Sequence, residues 1–310
     1  MPRTTRGLAS IPKLREIRKQ RPHERPSAKL WGFVVLGLLS AVAIHVALSR
    51  RAIGQQKGTM LAKQRALAAT IGPRWESVRG TVIDTAIAAA KEPWAGDQVD
   101  ASLRARAWRS ETAVYLRLGS NEAQTAETVL EATKLSPRDA FLSCLRTPTV
   151  APGADRLGRF HRMQESFAVT RLLEPTWVDD VQNADDDLRL RVFTEQLAAA
   201  TPEALETAVT LVERAKLVLV VIDEMPTTDG APARVEDVQR SAHGLRVTLV
   251  DRGTRMQLAR IRVEPNVALV PGGEGRVSDD DARAAIERQA IGCSAARLFD
   301  DAVDQALAPR

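Results

Sequence analysis

Residues 217–224 (LVLVVIDE) join an apolar run to two carboxylates, Asp223 and Glu224. At the end of a strand, such a pair of acids can hold magnesium against a bound nucleotide. That chemistry also needs a glycine-rich loop whose lysine and hydroxyl hold the phosphates, and no GxxxxGK[ST] occurs in the chain. The run is therefore expected to be a core strand whose acids mark its solvent edge. Asp185-Asp186-Asp187 and Asp279-Asp280-Asp281 invite a calcium or magnesium reading. An EF-hand loop alternates its acids, centres on a glycine and closes on a glutamate, and neither triplet does so. Both fit helix-start acids or solvated faces better.

Of the four histidines, only His161 and His243 lie outside the basic N-terminal segment and the apolar run that follows it. No HExxH, CxxC or GxSxG accompanies them, so zinc and serine hydrolases lack their spacing. A nucleophile, a base and an orienting acid can come from distant positions. An exported enzyme without a recognisable motif therefore stays open as an alternative. His45 is an ionisable group inside the apolar run, by default a functional candidate. It lies three residues from the run's end and is expected to reach the interface. Cys144 and Cys293 are the only cysteines, and in an oxidising compartment such a pair commonly bridges. Two buried thiols are the other reading. No cofactor and no metal is expected.

The chain has 310 residues, 44% hydrophobic and 27% charged, ordinary for a folded protein. Its formal charge of +5 is unevenly placed. Residues 1–29 carry a net +7, residues 30–48 no charge beyond a protonated His45, and residues 49–310 a net −2. The large C-terminal part lacks the basic surplus of a nucleic-acid binder, and aromatic residues at 4% leave few rings for stacking bases. No nucleic-acid partner is expected. Within the basic segment, Ile11, Leu14 and Ile17 recur among Lys13, Arg15, Arg18, Lys19 and Arg21. These five cations are candidates for contact with anionic lipid, each contributing about 1 kcal/mol near the surface. Pro12, Pro22 and Pro26 also suit a disordered topogenic tail.

Residues 30–48 (LWGFVVLGLLSAVAIHVAL) form the apolar run. At ~1.5 Å per residue it spans roughly 28 Å, near the ~30 Å hydrocarbon core of a bilayer. Trp31 suits an interfacial position. The run is longer than the apolar part of a cleaved signal peptide, and Ala41-Val42-Ala43 lies inside it rather than beyond it. An uncleaved signal anchor is expected. More Lys and Arg precede the run than follow it, which predicts a cytoplasmic N-terminus.

Beyond the anchor, residues 49–72 read as a helical stalk broken at Gly72-Pro73. Trp75, Val78, Val82, Ala86 and Ala89 give the next helix one apolar face. Residues 112–118 alternate like a strand, with one long helix over 101–118 as the rival. Ser120 is expected to cap a helix over 121–135, and residues 140–145 to form a short strand or helical turn. Residues 147–157 read as a linker. Thr201-Pro202 starts a helix with a cap and a first-turn proline. Residues 217–222 are apolar at every position, the pattern of a central strand. Residues 245–251 and 254–263 read as a hairpin with a bulge near Ala259-Arg260, and Ser278 as the cap of a final helix.

The expected fold class is α+β: one N-terminal transmembrane helix followed by a mixed helix and sheet soluble domain. Its parts are a basic cytoplasmic tail (1–29), the membrane helix (30–48), the stalk (49–72), a first, mainly helical part (73–146) and a second α/β part (158–310). The expected setting is the inner membrane, with the large domain in the periplasm. The expected partners are the lipid bilayer and other envelope proteins, bound through the exported domain. An envelope ligand sensor is a further reading.

Overall fold

The computed structural model describes residues 28–135, 139–145, 160–224, 238, 242–265 and 280–309. The chain divides into two compact units, Met1–Gln56 and Lys57–Arg310. The described part of the first unit is helical throughout and belongs to α1 (Ala28–Lys91). Phe33 is 75%, Leu38 64% and Leu48 61% exposed. With 3.6 residues per turn, these and Leu36, Val42 and Ile44 point to every side of the helix. The helix is long and apolar enough to cross a membrane, and none of its most apolar window is buried.

In the second unit α1 runs through Gly72-Pro73 without interruption, so the stalk and the next helix are one element. A proline inside a helix costs about 3 kcal/mol. Packing outweighs it: Met60, Ile71, Trp75, Val78 and Val82 form one buried stripe across the proline, and each buried large side chain returns roughly 1.5–3 kcal/mol. α1 stops at Lys91, before Pro93 and Gly96.

Six strands form one mixed sheet: β1 (Gln98–Val99), β2 (Ala113–Gly119), β3 (Phe160–Arg162), β4 (Leu217–Asp223), β5 (Leu245–Asp251) and β6 (Gln257–Val263). Their order is β1-β6-β5-β4-β2-β3. β2 runs parallel to β3 and β4, while the β4–β5, β5–β6 and β6–β1 pairs are antiparallel. Residues 112–118 thus resolve as strand, in keeping with β-branched and aromatic Val114 and Tyr115. Every residue of β2 and β4 is buried, which requires cover on both faces. In the hairpin, Leu249 pairs with Ala259 and Val250 with Gln257, leaving Leu258 as the extra residue. The bulge falls just before the expected Ala259-Arg260.

One face of the sheet carries Tyr115, Leu219, Val221 and Val247 and packs on α3 (Phe141–Cys144) and α8 (Asp280–Leu307). Phe141 stacks on Tyr115 with ring centroids 5.6 Å apart, and Phe299 of α8 meets Trp108 edge-on at 6.0 Å. Arg109 donates to Asp300 and Asp304, fixing α8 on the turn before β2. The helices α1, α2 (Ala126–Leu135), α4 (Met163–Thr170), α5 (Pro175–Asn183), α6 (Asp187–Ala199) and α7 (Pro202–Arg214) build the remaining helical layer. Trp75 of α1 meets Phe167 of α4 edge-on at 5.4 Å. Thr201 caps α7 through the Ala204 amide, as its sequence predicts. The helix expected over 121–135 begins later, at Ala126, because Thr125 rather than Ser120 accepts from the first-turn amide of Thr128. The 147–157 linker and Ser278 lie outside the described residues.

Candidate functional site

Charged side chains gather where the parallel strands end. β2 leads onward toward β3, whereas β4 leads the other way into β5. In open α/β sheets such a divergence opens a crevice at the carboxyl ends of the strands, the usual place for a ligand. In this chain the crevice between β2 and β4 is filled by its own residues. Arg117 of β2 donates from Nε and Nη2 to Asp223 of β4, at 2.9 and 2.7 Å. Its Nη1 donates to Asp139 Oδ2 at 3.0 Å, and the Tyr115 hydroxyl donates to the same oxygen at 2.7 Å. Arg162, at the end of β3, donates to the Asp139 carbonyl at 2.7 Å, while Asp139 Oδ1 accepts from the Phe141 amide that opens α3. His243 Nε2 lies 2.8 Å from Asp223 Oδ1.

Arg117, Asp139, Asp223 and His243 are all buried. Buried ions persist only when paired and hydrogen-bonded, and here the Arg117 and Arg162 guanidinium groups face the two carboxylates. Burial alone would raise the Asp223 pKa, but the Arg117 charge and the hydrogen bonds from His243 and Arg117 bring it down to about 2. Burial pushes the Tyr115 phenol well up, so it stays a donor. Asp223 is thus not the solvent-edge acid its place in the sequence suggests. It is completely buried, because β5, β2 and the loop carrying His243 surround it.

The same corner holds the disulfide. Cys144 at the end of α3 and Cys293 in α8 are bonded, with Cα atoms 5.0 Å apart. Gly292 lies beside Cys293, and a Cβ there would come within 3.3 Å of the Ala140 and Phe141 amide nitrogens and 3.4 Å of Arg117 Nη1. A glycine at this position lets α8 approach α3 and the ion network closely. The arrangement clamps three parallel strand ends to the last helix. It contains two acids, two guanidinium groups, a phenol and an imidazole.

His161 sits apart, on β3. Its Nε2 lies 2.7 Å from Ser166 Oγ, an arrangement with the outline of a base and a nucleophile. The Ser166 hydroxyl also donates to the Ala208 carbonyl at 3.1 Å, and while that bond is made His161 Nε2–H is the donor to Ser166. In that tautomer the imidazole does not accept the proton of the hydroxyl, as a general base must. Burial also lowers the His161 pKa, only partly opposed by Glu165. The pair ties β3 to α4 and α7.

Asp186 caps α6 by accepting from the Arg189 amide at 2.8 Å, a helix-start role. Among the described residues no cluster of three or more His, Cys, Asp or Glu side chains has the geometry of a metal site. Lys13, Arg15, Arg18, Lys19 and Arg21 lie outside the described residues. Sequence reasoning reached Asp223, His243 and both cysteines but passed over Tyr115, Arg117, Asp139 and Arg162. A signal did exist: Arg117 interrupts an apolar strand pattern, and a buried arginine demands a carboxylate from a neighbouring strand. No family model, no curated protein and no solved structure matches the chain.

Proposed function

We propose that this chain is a single-pass envelope protein whose N-terminus is cytoplasmic and whose large domain is exported and binds other envelope proteins. The observation that carries the reading is a helix with apolar side chains exposed on every face, feeding into a domain closed by a disulfide. Bare apolar surface of that extent is stable in lipid and not in water. Disulfides persist in oxidising compartments. The positive charge before the run supports the same orientation. The ion network supports a binding role over catalysis, since it fills the crevice in which a sheet of this type would hold a substrate.

Two measurements test this. Protease added to intact spheroplasts is expected to remove the large domain, and full protection overturns the orientation. Crosslinking in membranes followed by purification is expected to recover discrete partner proteins, and a consistently solitary chain counts against the binding role.

A second reading, a sensor for an apolar envelope ligand, draws on a cavity of about 440 Å³ between α2, α4 and α5. Leu130, Phe167 and Ala168 supply its apolar wall, with Glu127 and Arg171 at the rim. Binding of a fluorescent apolar probe that is lost in Leu130→Arg would favour this reading, and binding unchanged by that substitution would remove it.

A further inference from the structure

A second concentration of charge lies at the opposite end of the sheet, where β4 begins. A cavity of about 540 Å³ opens there, with Arg106, Arg214, Lys216, Arg252 and Arg255 among its lining residues. Two of these cations are already committed. Arg106 pairs with Glu111 and Asp251, and Arg252 donates to carbonyls at the end of α7. The acids of the cavity are equally engaged. Glu213 pairs with Arg74, and Asp251 accepts from Arg106 and from Thr254. The side chains of Arg214, Lys216 and Arg255 have no hydrogen bond or ion pair with the described residues. Five cations against two acids leave the lining positive, even though Arg214 is attracted by Glu213 and Lys216 by Glu111.

Arg255 carries a further sign. Its φ is +57°, and among the described residues it is the one non-glycine in that region. Glycine adopts this conformation freely, whereas a side chain there is strained. The turn contains a glycine two residues earlier, at Gly253, where φ is not positive. The strained position is thus occupied by a cation, at the meeting point of two cavities. The second cavity, about 330 Å³, shares Thr81 and Arg255 with the first. It continues along α1 from Thr81 to Glu92, floored by Thr248, Val250 and Gln257 of the hairpin and walled by the small side chains of Ala88 and Ala89. At ~1.5 Å per helical residue this trough is about 16 Å long, the length of roughly five extended residues. Its own charges are acidic: Glu92 is paired with Arg260, and Asp84 stands at the wall.

We propose that this trough binds an extended peptide segment of a partner protein, with carboxylate side chains at its basic end and an uncharged body along α1. The inference rests on the protein-binding reading and gives the partner its chemistry. A free anion would use the basic cavity alone, while an elongated ligand that is negative at one end fits both.

The test uses the full chain in detergent micelles and a fluorescein-labelled peptide, Glu-Glu-Ala-Thr-Ala, read by anisotropy. Saturable binding is expected. It should weaken about fivefold for each cation removed, in Arg255→Gly and in Arg214→Ala with Lys216→Ala, and fall further in 0.5 M sodium chloride. Arg255→Gly relieves backbone strain, so its melting temperature should equal or exceed that of the parent, separating lost binding from lost folding. Equal binding of Lys-Lys-Ala-Thr-Ala, no binding of the acidic peptide, or unchanged binding in the variants would each overturn the proposal. Displacement of the peptide by millimolar orthophosphate would overturn it in favour of a small-anion site. If partners co-purify equally with parent and variants, the trough reading fails while the protein-binding reading stands.

Discussion

Arg117 serves two carboxylates on two different elements, and nothing else described in the molecule can replace it. Removing it takes a guanidinium from each of two buried carboxylates, Asp139 and Asp223. Arg117→Met is therefore expected to destabilise the domain by about 3–5 kcal/mol, read from urea denaturation. Asp223 also predicts an acid limb. Its pKa falls from the ordinary 3.8 to about 2 in the folded protein, where burial, which would raise it, is overcome by Arg117 and His243. As pH drops below 3.8 the unfolded chain takes up this proton before the folded one does. The contribution, about 2 kcal/mol, is whole above pH 3.8 and disappears as pH falls to about 2. Denaturation midpoints in this window should decline steeply in the parent and less steeply in Asp223→Asn. The sequence made Asp223 visible but misplaced it, since a strand-end acid looks solvated until its neighbours in the sheet are known. Asp139 was not readable at all, because its role depends on α3 folding back beneath β2.

Among the elements, those with enough length to show a period were legible. β4, apolar at its first six positions, the start of α7 at its cap and the two hairpin strands were readable. β1 and β3, with two and three residues, are strands only because β6 and β2 lie beside them. The helix α1 was misjudged at Pro73 for an instructive reason: local preference argued for a break, and a buried stripe on both sides overrode it. That balance predicts that Pro73→Ala, at an exposed position, restores a helix hydrogen bond to the carbonyl four residues back. It should raise stability by about 1–3 kcal/mol, seen as a higher melting temperature. A fall in melting temperature would mean that Pro73 is favourable where it stands. Gly292 makes the reverse case, because the close approach it permits is set by α3 and invisible in the α8 sequence. Gly292→Val should lower stability by about 1–3 kcal/mol through crowding against α3.

For the molecule as a whole, the Cys144–Cys293 bond is the longest-range covalent constraint, joining positions 149 residues apart. In the chain-entropy account a loop of that size contributes about 5 kcal/mol. Cys144→Ser with Cys293→Ser should lower the urea midpoint accordingly, and reduction of the parent should reproduce the loss. The general plan, a basic segment, an apolar helix and a mixed domain, was legible because charge and hydropathy are properties of composition. The pairing of strands and the filling of the crevice were not, because they follow from contacts between distant segments.

α8 has a consequence for how such a protein must be made. It supplies half of the cross-link, the glycine that admits the ion cluster, and the Phe299 ring that closes over the sheet, yet it follows every strand in chain order. β2 through β6 therefore emerge with one greasy side uncovered and with Arg117 lacking its final surroundings. Until α8 arrives, the nascent domain keeps part of that face bare, and transiently exposed apolar surface of this kind favours aggregation.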